Sequence, residues 1–280
     1  MRAVEVEEEE EVAEEGVSWQ REEELARLAK APEGVNQEFW DLYRELTVRT
    51  MPVPEGQKAF PPAPHALGDL IGLASSAKEL EFVLDVLVSW RKPLLPLTAE
   101  HTSAVVNKAL RFGDPDLALR YLGNPEEHDV RTDGSHFDLV LAECVRRFDE
   151  AKRVNDPVRE LVALDQMYLT LAVLGRYEHL PDRLERLASA LKTVVEVSLG
   201  SSLREGWRRA VIASQHWEQF FKSTEIYAEE DPIIPDRRPV HIPTAFTPEE
   251  IERIELNART KGYNLEDDVE EGEEMTEREA

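Results

Sequence analysis

This chain of 280 residues has little reactive or cross-linking chemistry. Its one cysteine, Cys144, excludes an intrachain disulfide and a thiolate metal cluster. Flanked by apolar residues in LAECV, the thiol is expected to be buried and structural rather than nucleophilic. No apolar run reaches about 18 residues, the length at which a membrane-spanning helix becomes a candidate, so no span is predicted. HExxH, a Walker loop, GxSxG and a GxGxxG following a strand are all missing. No enzyme, cofactor, metal or small-molecule substrate is therefore expected. Strand-like alternation of convincing length is also lacking, which leaves an all-α protein.

The nearest metal-like run is Asp129 to Gly134, with acids at its first and fifth positions and glycine at its sixth, as in a calcium loop. Arg131 stands where the third ligand would be and Val140 where a bidentate Glu would be. The run therefore reads as a turn between helices. His65, His101 and His136 fall near equivalent helix starts about 35 residues apart. Each is expected to pack or hydrogen-bond there rather than share an ion with the others.

Helical periodicity is abundant. In Thr98–Leu122, Ala104, Val105, Ala109 and Leu110 recur at helical spacing, Gly113-Asp114-Pro115 interrupts, and Leu117, Ala118, Tyr121 and Leu122 resume. The pattern predicts a helical hairpin with Ala118 at its crowded crossing. A hairpin of about 25 residues cannot bury its apolar stripe alone and needs stacked neighbours. Similar runs open at His65 and at Ser135. LVALDQMYLTLAVLGRYEHLPDRLERLASAL supplies another hairpin, with a break at Gly175 and a second helix begun by Pro181. Four hairpins fit between residues 65 and 191, so the expected fold is stacked helical hairpins, a short α-solenoid.

HTSAVVNKALRFGDPDLALRYL resembles a pentatricopeptide unit, with His101 at the family's usual aromatic position, Gly113 at its inter-helix glycine and Ala118-Leu119 at its Ala-Leu. Tetratricopeptide repeats share the Gly and Ala positions, so both types stay open. The order of units, a helical preamble before a few degenerate repeats, is similar to that of the helical-repeat proteins of the mitochondrial ribosomal small subunit. The resemblance implies a non-catalytic scaffold in a ribonucleoprotein, with ribosomal or other structured RNA and neighbouring proteins as partners. It also implies the mitochondrial matrix. An Arg-rich, acid-poor presequence would mark that address, and MRAVEVEEEEEVAEE is the reverse, so the cytoplasm stands as the alternative. A protein-only adaptor that takes a partner helix or tail in a concave groove is the alternative function.

The net charge is -25 and is concentrated at the two ends. Residues 1–25 hold 11 acids and 2 bases, and residues 229–280 hold 17 acids and 6 bases, so the ends account for 20 of the 25 charges. Like-charge blocks bury too little apolar surface to offset ordering entropy. Residues 1–25 and 264–280 are therefore expected to be disordered tails flanking a helical body, 26–228, and a strap with a peripheral helix, 229–263. Within the body, positive charge clusters in three places: Lys108, Arg111 and Arg120; Arg146, Arg147, Lys152 and Arg153; and Arg204, Arg208 and Arg209. These are the candidate phosphate contacts. Asp149, Glu150, Asp156 and Glu160 lie among them, so a solvated face laced with ion pairs is the competing reading.

DPIIPDRRPVHIPTAF is too proline-rich for a helix and reads as an extended strap. Thr247-Pro248-Glu249-Glu250 then predicts a helix running to about Lys261 before Gly262, with an Ile251, Ile254 and Leu256 stripe. Trp207, Trp217, Phe220 and Phe221 are expected to be core.

Overall fold

The computed structural model describes residues 23, 25–51, 62–91, 97–128, 130–177, 179–215, 217 and 245–262. All regular structure among them is helical, as the periodicity predicts. The chain divides into two compact units, residues 1–132 and 133–280.

In the first unit, α1 (Gln37–Thr50) begins where the Asn36 side chain accepts from Glu38 N at 2.8 Å. Phe39, Trp40, Tyr43 and Leu46 share its buried face, the spacing of one helical stripe. Helices α2 (Ala66–Leu73) and α3 (Ala77–Arg91) form the first hairpin. The Phe82 ring of α3 sits 5.4 Å from Trp40 and 5.2 Å from Tyr43, joining that hairpin to α1.

Helices α4 (Ala99–Arg111) and α5 (Pro115–Gly123) form the hairpin read from Thr98–Leu122. Gly113 turns the chain at φ +70°, a backbone region that side chains other than glycine rarely enter. Asp114 accepts from Leu117 N at 3.0 Å, and Pro115 takes the first helical position, where its missing donor costs nothing. Ala118 has no exposed surface. The Thr102 and Tyr121 hydroxyls meet at 3.1 Å between the two helices. α4 packs on both α2 and α3, and the short α6 (Pro125–His128) lies against α3 and α5.

The second unit opens with its longest hairpin, α7 (Ser135–Arg153) and α8 (Pro157–Arg176). Asn155 makes the turn at φ +55°, and the Asp156 side chain caps α8 at Arg159 N. Cys144 is fully buried, as expected from its neighbours. Gly134 precedes α7 at φ +95°, and the Asp133 carboxylate accepts from Ser135 N and Oγ. That is the turn expected there.

α9 (Arg183–Leu199) packs on α8 and also on α7, and α10 (Arg204–Gln215) pairs with α9. The hairpin partition therefore differs from the expected one. α8 runs through Gly175 to Arg176, and α9 starts after Asp182 rather than at Pro181. The fourth hairpin is α9 with α10, ending at Gln215 instead of near residue 191. A glycine near a helix end is tolerated when neighbouring apolar positions are buried, and Leu171, Val173 and Leu174 are.

Helix α11 (Pro248–Thr260) has the predicted start and stop. Thr247 and Glu250 form a reciprocal capping box, Lys261 is the C-cap, and Gly262 follows at φ +79°. It docks on α10 of its own unit through buried Ile254 and Ala258, while Leu256 points away and is exposed. The expected Leu256 stripe fails because two residues turn a helix by about 200° from Ile254. Trp207 and Trp217 are buried. Phe220, Phe221, the strap as far as Thr244 and the tail residues 1–22 and 264–280 lie outside the described residues.

Candidate functional site

The ten candidate basic residues divide between the units, and most of them serve the protein's own helices. In the first unit the Lys108 ammonium donates to the carbonyls of Ile71 and Gly72, at the end of α2. Helix C-termini present unpaired carbonyls and a negative dipole end, so this lysine acts as a cap. Burial, opposed in part by Glu79, lowers its pKa from the usual lysine value. Arg120 pairs with Glu81 of α3 at 3.2 Å. Arg111 is exposed.

In the second unit Arg146 donates to Glu143 at 2.7 and 2.8 Å and to Glu150 at 3.0 Å. Those two carboxylates, Glu143 first, raise its pKa. Arg147 donates to Gln166 of α8 at 3.4 Å. Lys152 caps α9 at the Gly200 carbonyl, and Arg153 donates to the Asp149 carbonyl at 3.4 Å. Arg208 lies 3.8 Å from Glu205. Arg209 pairs with Asp165 of α8 and, at 2.9 Å, with Glu205, and its guanidinium stands 5.9 Å over the Tyr168 ring. Burial opposes the Arg209 charge, but Asp165 and Glu205 more than offset it and its pKa is raised. Arg204 is exposed at the start of α10.

The histidines sit at helix starts, as the spacing suggested. His65 is the N-cap residue of α2, His101 closes a capping box with Thr98, and His136 is buried in the first turn of α7. The His101 Nδ1 accepts from Thr98 N at 3.2 Å. Burial lowers the pKa of both His101 and His136, with partial opposition from Glu100 and Asp133 respectively.

Two features escape the motif search. One is a pair of buried carboxylates, Glu79 and Glu160, each 1% exposed. Burial alone would raise their pKa values, yet donors from Asn36 and Ser75, and from Ser201 and Ser202, bring both below the ordinary carboxylate value. The other is an exposed apolar strip on α8, formed by Val158, Val162 and Leu169. Its signal in the sequence was a helix apolar on nearly every side, which reads as wholly buried.

No described helix is long and apolar enough to cross a membrane, and among the described residues no cluster of His, Cys, Asp or Glu could hold a metal ion. Comparison with protein-family models, with curated proteins and with solved structures returns no match.

Proposed function

We propose that this chain is a non-catalytic helical-repeat scaffold, a short α-solenoid that holds neighbouring proteins in a ribonucleoprotein assembly. The carrying observation is a register that recurs in both units. The first helix of the later hairpin packs on both helices of the earlier one: α4 on α2 and α3, and α9 on α7 and α8. The sixth residue of the later second helix is an arginine paired to an acid on the earlier second helix, Arg120 to Glu81 and Arg209 to Asp165. A unit that recurs in this way adds binding surface without adding a reaction centre.

The pentatricopeptide-like hairpin at Thr98–Leu122 supports placing the assembly with those of the mitochondrial ribosomal small subunit, and hence in the matrix. The intramolecular duties of Lys108, Arg120, Arg146 and Arg209 favour protein contacts as the main grip, with structured RNA nearby. Capture of the tagged full chain from a mitochondrial fraction, with and without ribonuclease, tests this reading. Retention of the same ribosomal-subunit proteins after ribonuclease is the expected result. Loss of every partner on ribonuclease treatment, together with steeply salt-dependent RNA binding by the purified chain, would overturn the protein grip. Capture of one partner with no RNA from the cytoplasm would make the chain a protein-only adaptor.

A further inference from the structure

Helix α11 stands where a further repeat would begin. Within each unit the first helix of the later hairpin packs on both helices of the earlier one, and α11 repeats that placement at the end of the second unit. It lies against α10, and it meets α9 through Glu250, 3.6 Å from Lys192, and across a shared groove. Among the described residues no second helix follows it. α11 thus covers the end face of the α9–α10 hairpin, the face that an α-solenoid closes with a terminal element.

The cover is thin. In the equivalent position α4 and α9 bury four and six residues, whereas α11 buries two, Ile254 and Ala258. Beside them a groove of about 330 Å³ stays open between α9 and α11, floored by Val195, Leu199, Phe246 and Ile254 and edged by Asn257. Walls that face no partner atoms forfeit the dispersion energy of close packing. The polar holds on α11 are peripheral: Glu250 to Lys192, Gln215 to Glu255, and the Lys261 ammonium 4.5 Å over the Trp207 ring. Contacts of that kind contribute little at exposed positions and weaken with salt.

We propose that α11 is a displaceable cap, and that the end face beneath it docks a helix of a partner protein built like α11 but bulkier. Such a helix keeps the isoleucine and alanine four residues apart, an acid for Lys192 and a cation for the Trp207 ring. Where α11 has Asn257 it carries a leucine-sized apolar group, which fills the groove over Val195 and Leu199. The contacts of α11 define the chemistry that the face accepts. The tether of α11 raises its effective concentration and keeps the face closed to poorer fits. The inference rests on the reading of the chain as a protein-binding scaffold and names one of its docking faces.

The test uses the full chain and labelled peptides of residues 245–262, read by fluorescence polarisation. The native-sequence peptide should bind the parent chain weakly, because the tethered α11 competes with it. Ile254→Asp in the chain removes the competitor, and the same peptide should then bind at least about tenfold more tightly. A peptide with Asn257→Leu should bind that variant about tenfold more tightly again, and it should enter the parent chain as well. Tighter binding through an enlarged side chain is a result that lost folding cannot produce. Ile254→Asp in the peptide should abolish binding, whereas Leu256→Gln in the peptide should leave it unchanged, because Leu256 is 62% exposed on the far side of α11. The main melting transition of the Ile254→Asp chain should persist.

Equal binding to the parent and to Ile254→Asp, no binding of either peptide, or an Asn257→Leu peptide no tighter than the native one would overturn the proposal. So would loss of the whole cooperative transition in Ile254→Asp, which would make α11 an integral part of its unit. A dimer of the parent that disappears in Ile254→Asp on sedimentation would give the face to the α11 of a second copy and overturn the partner assignment. If the peptides fail while ribosomal-subunit proteins are still captured, the cap inference falls and the scaffold reading survives. If the peptides bind as expected and no ribosomal-subunit protein is captured, the docking face stands and the ribonucleoprotein assignment falls alone.

Discussion

Glu79 and Glu160 are both buried carboxylates near the start of a hairpin's second helix, one in each compact unit, and they stabilise different things. Glu79 works largely at home. It accepts from Ser75 N at 2.6 Å and Ser75 Oγ at 2.7 Å, closing the entrance of its own helix α3, and reaches the backbone of Asn36 at 2.6 Å. The Glu160 carboxylate reaches across the unit instead. It accepts from Ser201 Oγ at 2.6 Å, Ser202 N at 2.9 Å and Ser202 Oγ at 2.8 Å, organising the loop that launches α10. A glutamate three residues into a serine-capped helix is a sequence signature, whereas a carboxylate satisfied by a loop 41 residues away leaves no local trace. Equal burial thus conceals unequal legibility, and the two sites should also differ in cost.

Glu160→Ala should be the more damaging change. It leaves the nearly buried Ser201 hydroxyl without its acceptor, and hydrogen bonds to a charged group contribute about 1.5–3 kcal/mol each. A loss of about 3 kcal/mol is expected in chemical denaturation. A loss no greater than that of the Glu79 variant would break the contrast between the two carboxylates.

Ala118→Leu sharpens the comparison within the first unit by attacking packing rather than a cap. Ala118 is fully buried, and extra methylenes in a close-packed crossing cost about 1–3 kcal/mol. Thermal melting should register a clear fall in midpoint. An unchanged midpoint would contradict the tight α4 and α5 crossing.

Glu79→Ala should cost less, about 1–2 kcal/mol. Ser75 and Asn36 lie at exposed positions, where water can replace the lost acceptor. Hydrogen exchange should show the increase at the start of α3 and around Asn36. Protection unchanged at both places would mean that Glu79 does not join them.

The smallest effect expected is a pH dependence carried by one histidine in each unit. His101 and His136 have pKa values lowered from 6.5 in the folded state, so folding disfavours their protonated forms. Their stabilising contribution is complete above about 6.5. It is lost as pH falls from there toward the folded values, because the unfolded chain binds the protons first. Denaturation midpoints should decline over that interval, and His101→Asn and His136→Gln should each flatten the decline. An unaltered slope in both variants would assign the acid sensitivity to the carboxylates, whose contribution is lost at lower pH.

Legibility followed range. The turn at Gly113-Asp114-Pro115, the capping box at Thr247 and Glu250 and the stop at Gly262 were readable because each satisfies backbone groups within a few residues. The break expected at Gly175 was misread because a glycine's local cost was outweighed by burial of the residues around it. The basic clusters illustrate the same limit at the candidate site. Arg146 sits one turn from Glu143 and Glu150, so its pairing was open to inspection. Arg209 finds Asp165 44 residues away, and Lys152 finds the Gly200 carbonyl 48 residues away. No spacing rule announces such partners. The strip on α8 was hidden differently, since Val158, Val162 and Leu169 are of the same types as the valines and leucines that α8 buries.

By itself, the sequence determined that this protein is helical, where several of its helices begin or end, and that its negative charge gathers at the two ends. Those properties depend on backbone hydrogen bonding, side-chain shape and simple charge, all of which act over one or two helical turns. Only the tertiary structure decided which helices pair, which arginines are consumed by internal carboxylates, and which apolar stripe remains in solvent. Each of those outcomes depends on what a side chain meets after the chain has folded back across some 40 residues, and one residue type occurs on a buried face and on an exposed one.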